Sequence, residues 1–101
     1  MITHVSDTAF WIASYRANES LRSDALFNDP LSAHLTEEKG QDIVDHVSDS
    51  RYVSWTVVIR TRVIDEMINS ILSEGVDTII NLGAGLDTRP YRLTLPATLR
   101  W

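Results

Sequence analysis

Through the middle of the chain, apolar residues recur at steps of three and four: Val53, Val57, Ile64, Met67, Ile68 and Ile71. That spacing lines them along one side of a helix and predicts an amphipathic element from near Ser50 to Ser73 or Glu74. Gly75 ends it, because glycine most easily takes the left-handed conformation that follows a last helical turn. Upstream, Ser6 or Asp7 can cap a helix through about Glu19, since Thr8 to Ser20 contains neither glycine nor proline. Asp29-Pro30 starts a second helix, with the aspartate as cap and the proline where no intrahelical donor is required. It runs from Leu31 to about Lys39 and stops at Gly40. The polar stretch Gln41 to Ser50 holds Ile43, Val44 and Val47, which suggest a further short helix.

After Gly75 the pattern changes. Val76 to Leu82 is short and largely apolar, with Val76, Ile79, Ile80 and Leu82, as in a parallel strand covered on both faces. Gly83-Ala84-Gly85 follows, and then a segment with room for a short helix starting near Asp87. Helices followed by a strand and a glycine turn place the chain in the α/β class. A parallel strand needs a partner and this one has none in the sequence, so the chain reads as the opening of a larger domain, truncated.

Length and composition narrow the picture. The 101 residues are room for one small domain, and 44% hydrophobic content is enough for a core. Nine basic against fourteen acidic residues give a formal charge of -5, which argues against a nucleic-acid surface. There is no cysteine, so disulfides, thiolate metal sites and a cysteine nucleophile are excluded. His4, His34 and His46 have no metal-ligand spacing. No stretch approaches the roughly 18 apolar residues of a membrane span, and the N-terminus does not read as a signal peptide. A cytoplasmic, soluble protein is expected.

The strand leading into Gly83-Ala84-Gly85 is the first candidate for chemistry. Glycines there let a ligand approach the backbone, at the strand end where open α/β sheets bind nucleotide-like cofactors. A dinucleotide fingerprint would carry a third glycine at position 88, which is Thr88. That argues against a nicotinamide-dependent oxidoreductase, and no Gly-Lys-Ser/Thr phosphate loop is present. Arg60 is the second candidate. Val57, Arg60, Ile64, Met67 and Ile71 share a face, which sets Arg60 within the apolar stripe. It could form an internal ion pair with Asp65 or Asp87, snorkel at the stripe's edge, or clamp a ligand carboxylate with its planar fork. Arg16 shares a helix face with Ile12, Ala9 and Ala13, and could pair with Glu19. Asp87 could cap the following short helix or bond a ligand hydroxyl. No Ser-His-Asp set or acid–base pair is visible.

The stretch Ile79-Ile80-Asn81-Leu82-Gly83-Ala84-Gly85-Leu86-Asp87-Thr88-Arg89-Pro90-Tyr91-Arg92-Leu93 resembles the loop signature of the leucine carboxyl methyltransferase-like family. Asp7-Thr8-Ala9-Phe10-Trp11, Arg16-Ala17-x-Glu19, Leu26-Phe27-x-Asp29-Pro30 and Arg60-Thr61-Arg62 are similar to the same family. The resemblance covers almost the whole chain. It implies a helical cap over residues 1–50 and the start of a Rossmann-like class I methyltransferase domain over 51–101. It also implies S-adenosyl-L-methionine as cofactor and O-methyl transfer to a carboxylate or hydroxyl of a small molecule or peptide. Arg60 matches the arginine that binds the methionine carboxylate, and Arg16 a basic position near the same site. Gly83, Ala84 and Gly85 match the loop under the cofactor. The acidic residue expected about 20 residues past that loop to bind the ribose is missing, so the chain alone is expected to have little or no activity. A reading from another class is a non-enzymatic remnant that binds a partner through its exposed strand.

Overall fold

The computed structural model describes residues 3–36, 42 and 50–101. Helix α1 spans Asp7–Ser20, α2 is helical over residues 30–36, α3 spans Ser50–Ser73, and α4 is the single turn Arg89–Arg92. Helices α1 and α3 pack on each other.

Each helix end has a local cause. Asp7 is the first residue of α1, and its carboxylate accepts the Thr3 and His4 amides at 2.9 and 3.1 Å, tying the preceding residues to the helix start. Asp29 caps α2: its Oδ1 accepts the Ser32 amide at 3.1 Å, and Pro30 occupies the first helical position. At the end of α3, Gly75 takes a φ of 94°. Its amide bonds the Leu72 carbonyl at 3.1 Å, and the Val76 amide reaches the Ile71 carbonyl at 3.4 Å. These two bonds close a Schellman turn. The expected end of α2 near Lys39 and the short helix within 41–50 lie outside the described residues.

The expected first strand is corrected by the structure. The described residues are mostly helical and contain no strand or sheet, so the α/β reading with a Rossmann-like strand at Val76 to Leu82 does not hold. The segment makes only one isolated parallel bridge, Thr78 to Arg100. It rests on two bonds, Ile79 amide to Arg100 carbonyl at 2.8 Å and Arg100 amide to Asp77 carbonyl at 2.9 Å. A strand propagates only where a neighbour satisfies successive backbone groups, and beyond this bridge none does. Nor is the segment covered: Ile80 is 80% and Leu82 88% exposed.

The phase of α3 is corrected too. Its buried line runs through Val57, Val58, Thr61, Asp65 and Ile68, while Met67 and Ile71 are exposed. Arg60 is exposed with them. In this phase Asp65 faces inward, where it meets two arginines, described below.

Buried polar side chains outnumber buried hydrophobic ones among the described residues, and none of their buried nitrogens or oxygens lacks a partner. The hydrophobic part of the core is Ala13, Tyr15, Phe27, Val57, Val58 and Ile68. Tyr15 accepts a hydrogen bond from the Trp11 indole at 2.7 Å. What surrounds this small core is a network of charges.

Candidate functional site

That network converges on the segment that carries the glycines. Its first hub is Asp29, with no exposed surface. Asp29 Oδ2 accepts the Arg16 Nε at 2.9 Å, the Ser32 hydroxyl at 2.6 Å and the Thr88 hydroxyl at 2.7 Å. Burial by itself pushes the Asp29 carboxyl up. The bonds from Ser32, Thr88 and Arg16 outweigh it and hold the group below its ordinary value of 3.8. Arg16 also donates from Nη2 to the Leu86 carbonyl. One guanidinium thus joins α1, the start of α2 and the loop.

The second hub is Asp65 on α3. Arg92 meets it in a two-pronged pair, Nη1 to Oδ2 and Nη2 to Oδ1, each 2.9 Å. Arg89 Nε reaches Asp65 Oδ1 at 2.7 Å. Arg92 also donates from Nε to the Thr88 hydroxyl at 3.3 Å and lies over the Phe27 ring, 5.6 Å from its centre. Such planar, charge-assisted pairs fix orientation as well as distance. They clamp α4 and the loop before it onto the inner face of α3.

The third junction is Asp87. Its Oδ1 accepts the Arg89 amide at 2.9 Å, while Oδ2 takes Arg89 Nη1 at 2.9 Å and the Asn81 amide nitrogen at 2.8 Å. The carboxylate therefore closes the loop from 81 to 89 just before α4, whose N-cap is Thr88 with no side-chain cap bond.

Within this frame the two loop glycines differ. Gly83 and Gly85 have φ values of 63° and 54°, where side chains are strained. A Cβ at Gly85 would stand 3.4 Å from the Ala9 Cβ, in van der Waals contact with α1. A Cβ at Gly83 would meet nothing within 4 Å, which leaves that side of the loop open. Gly83, Ala84 and Gly85 are all exposed.

The structure joins Arg16, Asp87 and the loop but leaves Arg60 apart from them. Arg60 is exposed and makes no recorded ion pair or hydrogen bond with a described residue. The internal pairing considered for it, with Asp65 or Asp87, does not form: both acids are taken by Arg89, and Asp65 by Arg92 as well. Nor does Arg16 pair with Glu19; Glu19 has Arg22 Nε at 3.7 Å. A cavity of about 400 Å³ opens between α1 and α3, lined by Tyr15, Glu19, Arg51, Trp55 and Val58 among others, and by none of the predicted site residues.

The hubs Asp29 and Asp65 and their partner Arg92 were not among the predicted site residues. One signal was available. Arg89 and Arg92 stand three apart across a turn, so one acid placed opposite can meet both.

These residues suit an anionic or polar small ligand in part. The loop is open at Gly83, and Arg60 has no ion pair or hydrogen bond among the described residues. Arg16 and Asp87 are occupied in holding the loop.

The signature of the leucine carboxyl methyltransferase family matches residues 9–101, and the chain belongs to that family. It is 34% identical to a protein of Streptomyces coelicolor over 92% of this chain and 36% of the relative. It is 32% identical to one of Mycobacterium tuberculosis over 95% of this chain and 32% of the relative. A Frankia alni protein is similar at 32% over 92% of the chain and 36% of its own length. All three carry the provisional name of an S-adenosyl-L-methionine-dependent methyltransferase. The chain spans about a third of the length of the curated relatives it matches.

Proposed function

We propose that this protein is part of an S-adenosyl-L-methionine-dependent methyltransferase acting in the cytoplasm on a carboxylate or hydroxyl oxygen of a small molecule or peptide. The family match over residues 9–101 carries this reading, and the names of the relatives supply the cofactor. In this reading Arg60 binds the carboxylate of the cofactor's methionine end. Its guanidinium is uncommitted, and its fork suits a carboxylate. Gly83 and Ala84 present the backbone of a loop whose Gly85 lies beside Ala9 of α1. Arg16 and Asp87 act one step removed, as positioning residues, by fixing the Leu86 carbonyl and the start of α4. When bound, the cofactor supplies a methyl group on a positively charged sulfur for a single in-line displacement. Positioning can contribute most of the rate of such a step.

Titration of the isotope-labelled chain with S-adenosyl-L-methionine, followed by amide NMR, tests this. Shifts confined to Gly83–Gly85 and the neighbourhood of Arg60 are expected even if binding is weak. Shifts only elsewhere, or none at millimolar cofactor, would overturn the assignment.

A further inference from the structure

The cavity between α1 and α3 holds two opposite charges that do not meet each other. Tyr15 and Glu19 reach it from α1, four residues apart, and Arg51, Trp55 and Val58 from α3, at steps of four and three. Each set lies on one side of its helix, so the walls stand on regular structure. Glu19 is the unusual member. Only 5% of it is exposed, yet its carboxylate has no hydrogen bond recorded among the described residues, and Arg22 Nε stands 3.7 Å away. Arg22 is itself held by Asp24, Nε to Oδ1 at 3.1 Å and Nη2 to Oδ2 at 3.2 Å. A buried carboxylate is costly unless donors meet it. Every side-chain nitrogen or oxygen sealed from solvent among the described residues has a partner. The Glu19 oxygens are therefore not sealed, and they open on the cavity that the residue lines.

Arg51, on the facing helix, is exposed and has no ion pair or hydrogen bond recorded among the described residues. Between the two charges the wall is apolar, with Trp55 and Val58. At about 400 Å³, the space falls within the roughly 300–1,000 Å³ of small-ligand sites. We propose that it binds an α-amino acid with an apolar side chain. The ligand's ammonium donates to Glu19, and its carboxylate accepts the guanidinium fork of Arg51. Its side chain lies against Trp55 and Val58. A singly charged ligand would leave one of the two wall groups unmet. A zwitterion meets both, and it adds no net charge to a space whose two acids, Glu19 and Asp24, match its two arginines. Neither Arg60 nor the glycine loop lines this cavity, so the proposal goes beyond the methyltransferase reading and does not rest on it.

The test is calorimetric titration of the chain with L-phenylalanine, with phenethylamine, which lacks the carboxylate, and with phenylpropionate, which lacks the ammonium. Phenylalanine is expected to bind saturably, and about tenfold or more tightly than either half. Glu19→Gln is expected to weaken phenylalanine and phenethylamine about tenfold and to leave phenylpropionate unchanged. Arg51→Gln is expected to weaken phenylalanine and phenylpropionate and to leave phenethylamine unchanged. Because Arg51 is exposed, that variant should keep its helical circular dichroism even if Glu19→Gln disturbs the fold. No saturable binding up to about 10 mM phenylalanine would overturn the proposal. So would a half that binds as tightly as the whole, or substitutions that change nothing. Equal weakening of all three ligands would do the same, since the altered residue would then act through the fold alone. The cofactor takes no part in these titrations, so the amino-acid site can fail while the methyltransferase reading stands.

Discussion

Arg92 sets both terminal nitrogens of its guanidinium against Asp65, at 2.9 Å each, across 27 residues of sequence. The pair binds the turn after the glycine loop to the inner side of α3, and Arg89 adds a third bond to the same carboxylate at 2.7 Å.

Asp65→Ala would leave two largely buried guanidiniums without their main partner. Removing one side of such a pair costs about 3–5 kcal/mol. Urea unfolding of the variant is expected to show a loss near the lower end, because Arg89 keeps Asp87. A loss below about 1 kcal/mol would mean that the clamp contributes little.

The pH dependence of stability has a definite sign at Asp29. Its folded carboxyl sits below the ordinary value of 3.8, so the unfolded chain binds the proton more readily. The contribution of Asp29 is therefore present above 3.8 and is lost as pH falls through the lower folded value. Asp29→Asn is expected to be less stable at neutral pH and to lose less on acidification below 4. Equal acid profiles for the two proteins, measured by denaturant unfolding from pH 7 downward, would contradict this.

Gly75 and Gly83 provide a matched comparison. Both have positive φ, and a Cβ at either meets nothing within 4 Å. Alanine at either position is expected to cost about 1 kcal/mol through the backbone alone. Only Gly83→Ala should also reduce the NMR shifts caused by S-adenosyl-L-methionine, since Gly75 only closes α3. Equal effects of both on ligand shifts would assign the loop a structural role.

Arg60→Ala removes an exposed side chain that no described residue holds. Stability is expected to stay within about 0.5 kcal/mol, while cofactor-induced shifts near the loop weaken. A large loss of stability would instead reveal a structural partner for Arg60.

The helices were legible in the sequence because their signals are local. The Asp29-Pro30 start, the limits of α3 and the stop at Gly75 each depend on a few adjacent residues, and the structure reproduces them. The phase of α3 was not legible. Hydrophobic periodicity counts Met67 and Ile71 as inner positions, whereas the buried line includes Asp65, whose arginine partners lie 24 and 27 residues away. The strand was misread for a related reason. The apolar run from Val76 to Leu82 has strand composition, but composition cannot provide the neighbour that a strand must pair with. Of the site residues, Asp87 has a partner within its local sequence, since its bond to the Arg89 amide spans two residues. The guanidinium of Arg16 does not, since its partners lie 13 and 70 residues off.

Position 88 carries a last consequence. Thr88 stands where a dinucleotide loop would have a glycine, and its hydroxyl both donates to Asp29 and accepts from Arg92. The loop is thus riveted by a side chain at the position where other nucleotide loops gain closeness by having none. Through Arg16 and Asp29 this hydroxyl ties the loop to both α1 and the start of α2.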